Sequence, residues 1–195
     1  MGNFGFQDGD SGYVKGGSDD TLIGNVSDAL KVTAGSSGQK ELVAAGQVFC
    51  AVVDDFNLSS FSTDNTILLI KNPNASGKNL YIIDVFAGTL ESSVAIKYKV
   101  FANPTITSNG TSKTITSRTI KASPTASVME AYTGPTVSAN GTALSEFVNQ
   151  QASNAVSILT SFQIRLEPNN NLLITGKPSS NNRTAILTVV WSEEA

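Results

Sequence analysis

The apolar positions of this chain follow a period of two over long stretches. Val94, Ile96, Tyr98 and Val100 would line one face of an extended segment, and Ala95, Lys97, Lys99 and Phe101 the other. Ala185, Leu187, Val189 and Trp191 alternate with Ile186, Thr188 and Val190, and Phe162, Ile164 and Leu166 alternate with Gln163 and Arg165. Successive side chains of a strand point to opposite faces, so this pattern predicts strands and not helices. From residue 40 onward, strands are expected at 47–53, 65–71, 79–87, 93–101, 112–116, 126–132, 142–148, 157–166, 171–175 and 183–191. They are rich in Val, Ile, Thr, Tyr and Phe, which fit a pleated surface. Asn-Pro, Asn-Gly and Gly-Pro steps punctuate them. A short helix is the alternative at 144–155. Many short strands at near-regular spacing point to an all-β fold, a β-sandwich with the jelly roll as its favoured form. The segments 47–53, 79–87 and 183–191 are apolar on both faces, which calls for a second covering layer or another subunit.

The first part of the sequence is patterned differently. Residues 1–21 hold six glycines and four aspartates, relieved only by Phe4, Phe6, Tyr13 and Val14. This reads as an extended arm without a packed element of its own. Residues 22–33 carry apolar side chains at Leu22, Ile23, Val26, Leu30 and Val32, and Leu30 to Thr33 alternate as a short strand would. Gly35-Ser36-Ser37-Gly38 reads as a linker. The expected organisation is an extended arm over 1–33 and a sandwich body over 40–195. The competing reading makes 22–33 the first strand of the sandwich.

One internal repeat is visible. Asn103-Pro104-Thr105-Ile106-Thr107-Ser108-Asn109-Gly110-Thr111 matches Gly134-Pro135-Thr136-Val137-Ser138-Ala139-Asn140-Gly141-Thr142 at an offset of 31. Each copy follows a segment ending in an aromatic residue, Phe101 or Tyr132, and each contains an Asn-Gly pair suited to a tight turn. The two copies are either matching loops that face a partner or similar hairpins that build the fold.

Composition narrows the chemistry. Of 195 residues, 40% are hydrophobic and 15% charged, with Ser, Thr, Asn and Gly filling the remainder. The net charge of −3 offers no basic field for nucleic acid. The charge is uneven: residues 1–30 hold Asp8, Asp10, Asp19, Asp20 and Asp28 against Lys15 alone. With no histidine and a single cysteine, an intrachain disulfide, a Cys/His zinc site and any imidazole-based triad are excluded. Cys50, inside the run Val48 to Val53, is expected to be a small buried core residue. The N-terminal residues lack the pattern of a signal peptide, and no apolar run is long enough for a membrane helix. The expectation is synthesis in a host cytoplasm and no membrane partner. The Asn-x-Ser/Thr matches at Asn25, Asn57, Asn74, Asn109, Asn140 and Asn182 follow from the composition.

The motifs that resemble chemical sites are weak. Asp8-Gly9-Asp10-Ser11-Gly12 lacks the later ligands of a calcium loop. Gly16-Gly17-Ser18-Asp19 lacks the lysine of a phosphate loop. Asp54-Asp55 and Asp19-Asp20 are neighbours in sequence and would point apart in a strand. Tyr81, Tyr98 and Tyr132 would suit a sugar-stacking platform, although core or interface packing is the plainer use of tyrosines in such runs. No catalytic residue, metal or cofactor is expected.

A likeness to known proteins enters at residues 19–33. Asp19-Asp20-Thr21-Leu22-Ile23-Gly24-Asn25-Val26-Ser27-Asp28-Ala29-Leu30-Lys31-Val32 resembles a segment that recurs near the amino terminus of tailed-phage virion proteins. This protein has Ser27 where that segment often has Gly. The step from Leu69-Ile70-Lys71-Asn72-Pro73 through Ser76-Gly77-Lys78 to Leu80-Tyr81 is similar to theirs, as are Phe101-Ala102-Asn103-Pro104-Thr105 and Thr188-Val189-Val190-Trp191-Ser192-Glu193-Glu194. The resemblance implies a non-enzymatic capsid decoration or head-fibre protein, trimeric, located on the virion. It would bind the major capsid protein or another virion protein through its N-terminal arm. The partner-binding residues would be Thr21, Leu22, Ile23, Gly24, Asn25, Val26, Asp28, Leu30 and Val32. A tail or baseplate structural protein, or a receptor- or glycan-binding module of the particle, is the alternative.

Overall fold

The computed structural model describes residues 13–16, 21–25, 42–89, 91, 94–120, 123–149 and 157–194, with side chains described from 42 onward except at 149 and 157–163. Its contacts divide the protein into two units, Met1–Ala45 and Gly46–Ala195. In the first unit, β1 (Tyr13–Gly16) and β2 (Thr21–Asn25) pair antiparallel, and a single helical turn covers 42–44. The expected arm, 1–33, thus contains both strands of this pair, and β1 falls within the stretch 1–21 that was read as free of packed elements.

The second unit is nearly all strand: β3 (Val48–Leu58), β4 (Asn65–Lys71), β5 (Asn79–Thr89), β6 (Ile96–Ala102), β7 (Thr105–Ser108), β8 (Thr111–Ser112), β9 (Ile115–Ser117), β10 (Glu130–Thr133), β11 (Thr136–Ala139), β12 (Thr142–Asn149), β13 (Ser157–Leu166), β14 (Asn171–Pro178) and β15 (Arg183–Glu194). One sheet runs β13-β5-β15-β3-β9 and the other β12-β6-β14-β4-β10-β8, with every pairing antiparallel. In sequence order, β3, β4, β5 and β6 fall alternately in the two sheets, and β12, β13, β14 and β15 return the same way. This eight-strand wrapping is the jelly roll. The helix considered at 144–155 is not formed over Thr142–Asn149, which is β12. The strand expected at 126–132 begins only at Glu130, because Ser127 and Val128 are engaged elsewhere.

The core lies between the two sheets. Phe49, Ala51 and Val53 of β3 and Ala185, Leu187, Val189 and Trp191 of β15 face Leu68 and Ile70 of β4, Leu172 and Ile174 of β14, and Tyr98 and Val100 of β6. Period-two alternation therefore assigns the inner face correctly wherever it is clean. Asn72 explains the Asn-Pro…Ser-Gly-Lys step between β4 and β5. It is 1% exposed, its amide donates to the carbonyls of Lys78 (2.8 Å) and Leu166 (2.9 Å), and its oxygen accepts from Ser76. One side chain thus joins the turn at Lys78 to the end of β13 at Leu166, with Ser76 Oγ also donating to the Lys78 carbonyl at 3.3 Å.

The repeat has a structural meaning that sequence alone did not resolve. β7 and β11, one from each copy, pair with each other as a ribbon (Val137 opposite Ile106). The strands that follow exchange partners: Thr142 of β12 lies opposite Ala102 of β6, and Thr111 of β8 opposite Thr133 of β10. At the centre, Leu69 of β4 pairs with Leu173 of β14. A local pseudo-two-fold axis therefore relates the two halves of this sheet. Leu68-Leu69-Ile70 and Leu172-Leu173-Ile174 are a second pair of matching words on the same axis. That shared Leu-Leu-Ile is the signal by which the symmetry is readable in the sequence.

Candidate functional site

The residues expected to bind a partner fall as follows. Thr21, Leu22, Ile23, Gly24 and Asn25 constitute β2, with Thr21 opposite Gly16, Leu22 opposite Lys15 and Asn25 opposite Tyr13. Val26, Asp28, Leu30 and Val32 lie outside the described residues, as do the Asp8–Gly12 motif and Asp19-Asp20. One edge of β2 is thus taken by β1.

On the body, three surfaces stand out. The first is the outer face of the β13-β5-β15-β3-β9 sheet. The three segments expected to be apolar on both faces are β3, β5 and β15, and they lie side by side. Val52, Thr188 and Phe86 form one cross-strand row, and Cys50, Val190 and Asp84 the next. Val52 is 45% exposed, while Cys50, Phe86 and Ile186 are half-buried. Cys50 is consequently not the core residue its run suggested. Phe49 and Ala51 take the inner face, and the pleat turns the thiol between them outward.

The second surface is the β7–β11 ribbon. It leaves the sheet above the row Phe101, Leu173, Leu69, Tyr132, one residue from each of four adjacent strands. Leu69 and Leu173 are fully buried although they sit outside the interior of the sandwich. The backbone turns out of the sheet at Asn103 (φ 52°) and Gly134 (φ 60°), each followed by a buried proline, which cannot continue a ladder. The ribbon is fastened reciprocally: Thr107 Oγ1 donates to the Thr136 carbonyl (3.0 Å) and Ser138 Oγ to the Thr105 carbonyl (3.5 Å). Its exposed residues are Thr105, Thr107, Ser108, Thr136, Ser138 and Ala139.

The third is a cleft of about 430 Å³ whose lining includes Asn103, Leu144, Ile164, Arg165, Glu167 and Asn170. Arg165 meets Glu167 at 3.2 Å and Asn79 at 3.3 Å, with its guanidinium 5.9 Å from the Tyr81 ring. Asn103 donates to Asn170 at 2.9 Å and accepts from the Asn171 amide at 3.0 Å. The charges are paired and the amides partly committed to each other, so the cleft suits a neutral, hydroxyl-bearing group.

The three tyrosines do not form a platform. Tyr98 is wholly buried, donates its hydroxyl to the Gly88 carbonyl at 2.6 Å and stacks on Phe147 at 5.3 Å. Burial raises its pKa well above the ordinary phenol value. Tyr81 and Tyr132 sit on different sheets. Tyr132 lies 6.0 Å from the Lys71 ammonium, and its pKa is raised by burial and by its hydrogen bond to Glu130 and that group's charge. Asp54 pairs with Lys113 at 3.6 Å, while Asp55 occupies a left-handed position (φ 53°) where β3 bulges. Among the described residues, no cluster of three or more His, Cys, Asp or Glu is poised for a metal.

The most buried acid among the described residues went unnoticed in the sequence. Glu193 is fully buried and receives the Trp191 indole N–H (3.2 Å), the Val128 amide (3.2 Å) and the Ser127 hydroxyl, with the Lys78 ammonium 3.8 Å away. It ties the approach to β10 onto the end of β15. The alternation of β15 points Glu193 to the same inner face as Trp191, which is the signal that was available.

The fold and these surfaces define an all-β jelly-roll protein with a separate N-terminal unit. Compared with known proteins, the sequence matches no family model and no curated protein.

Proposed function

We propose that this protein is a structural component of a tailed-phage virion. It would be an accessory decoration or head-fibre protein, without enzymatic activity, that attaches through its N-terminal arm to the major capsid protein or another virion protein. The observation that carries this reading is the resemblance of residues 19–33 to a recurring virion segment, in a protein whose contacts part between Ala45 and Gly46. The acidic excess of residues 1–30 supports it, because acidic side chains can match a basic patch and speed encounter. The partly exposed apolar face on β3, β15 and β5 supports a homo-oligomer, which we take to be a trimer.

The cleft at Asn103, Arg165 and Asn170 favours a second reading, a glycan- or receptor-binding module of the particle. Deletion of residues 1–33 tests the first. The truncated body is expected to fold and oligomerise but to lose incorporation into particles. Retained incorporation would place the docking surface on the body, and aggregation of the truncated protein would make residues 22–33 part of the core.

A further inference from the structure

We propose that Asn109 and Asn140 are paired sites of spontaneous deamidation and isoaspartate formation, and that the product opens the β7–β11 ribbon. Each asparagine precedes a glycine, Gly110 or Gly141, which has no side chain to shield its amide nitrogen. Neither asparagine side chain and neither glycine amide has a hydrogen-bond partner among the described residues. Other asparagines are committed: Asn72 to Lys78, Leu166 and Ser76, and Asn103 to Asn170 and Asn171.

The chemistry needs only water and hydroxide. Hydroxide removes the Gly110 amide proton, and the nitrogen attacks Cγ of Asn109. The bond from Cγ to the side-chain nitrogen breaks, ammonia departs after taking a proton from water, and a succinimide ring remains. Water then opens the ring. Breaking the glycine nitrogen from Cγ gives aspartate. Breaking it from the backbone carbonyl carbon gives isoaspartate, with the backbone rerouted through the side chain. No atom is oxidised or reduced.

The surroundings make that product consequential. A Cβ on Gly110 would lie 2.2 Å from the Thr133 oxygen, and one on Gly141 would lie 2.1 Å from the Ala102 oxygen. Each glycine is thus seated directly against neighbouring backbone, and an isoaspartate one residue earlier, which lengthens the main chain by one carbon, is expected to push it from that seat. The same contacts exclude any residue but glycine, so the protein cannot shed the reactive pair by changing its second member. The new carboxylates also appear in a region, 103–112 with 133–145, that carries no charged residue. The pseudo-two-fold relation gives both sites one environment, so they are expected to convert in parallel.

The test is peptide mapping by mass spectrometry, with separation of aspartate from isoaspartate, on the purified full-length protein incubated at neutral and at mildly alkaline pH. Asn109 and Asn140 should convert at similar rates that rise with hydroxide concentration, while Asn72 and Asn103 keep their amides. Aged protein should melt below an N109D/N140D variant, which carries the charge without the lengthened backbone. Conversion in urea-unfolded but not in folded protein would overturn the proposal, as would loss of ammonia spread evenly over other asparagines. Equal melting of aged protein and the aspartate variant would overturn the claim that the ribbon opens.

Discussion

Gly110 packs against Thr133 so closely that a methyl group on the glycine would overlap the threonine carbonyl at 2.2 Å, and Gly141 repeats that relation with Ala102 at 2.1 Å. Both glycines are also left-handed, at φ 85° and 87°. Gly110→Ala and Gly141→Ala are each expected to destabilise by roughly 2–4 kcal/mol, from the positive φ and from overpacking against backbone that cannot rotate away. Gly77, at φ 64° with no atom within 4 Å of an added Cβ, is the control. Gly77→Ala should cost only about 1–2 kcal/mol. Urea midpoints of the three variants measure the difference.

Removing the Glu193 carboxylate leaves the fully buried Trp191 indole, together with the Val128 amide and the Ser127 hydroxyl, without their acceptor. Glu193→Ala is expected to cost about 3–5 kcal/mol, and Glu193→Gln, which keeps an acceptor oxygen, clearly less. Limited proteolysis of the alanine variant should cut first between β9 and β10, the stretch that Glu193 anchors.

Tyr98 provides a pH prediction. Its folded pKa is raised by burial, so the folded state holds the phenolic proton more tightly than the unfolded state does. Stability from this group is complete below the unfolded value of about 10 and declines as pH rises above it. Alkaline unfolding monitored by tyrosinate absorbance should show Tyr98 ionising only as the fold is lost. Tyr98→Phe should remove that share of the pH dependence. It should also cost about 1–3 kcal/mol at neutral pH, since the Gly88 carbonyl loses its donor.

Val52 tests the proposed oligomer. It is 45% exposed on the outer face of β3, so a charge there has little core to disturb. Val52→Asp is expected to keep the circular dichroism of the parent while light scattering falls from an oligomer toward the 20.4 kDa protomer. An unchanged mass would mean that this face is not the interface.

Strand positions and inner faces were legible in the sequence because alternation is local: Ala185, Leu187, Val189 and Trp191 declare their side of β15 without reference to any other strand. The sequence alone also determined that these residues offer no imidazole and no intrachain disulfide, and that the acidic excess lies in residues 1–30. What the tertiary structure decided was pairing. That β7 joins β11, that β12 returns to β6, and that Leu69 meets Leu173 depend on contacts between segments far apart in sequence, where the same apolar pattern fits many registers. Cys50 and Glu193 were misjudged or missed for a related reason. The burial of a residue depends on what the fold lays over it: Cys50 has no core above it, and Glu193 is closed in by the residues leading into β10.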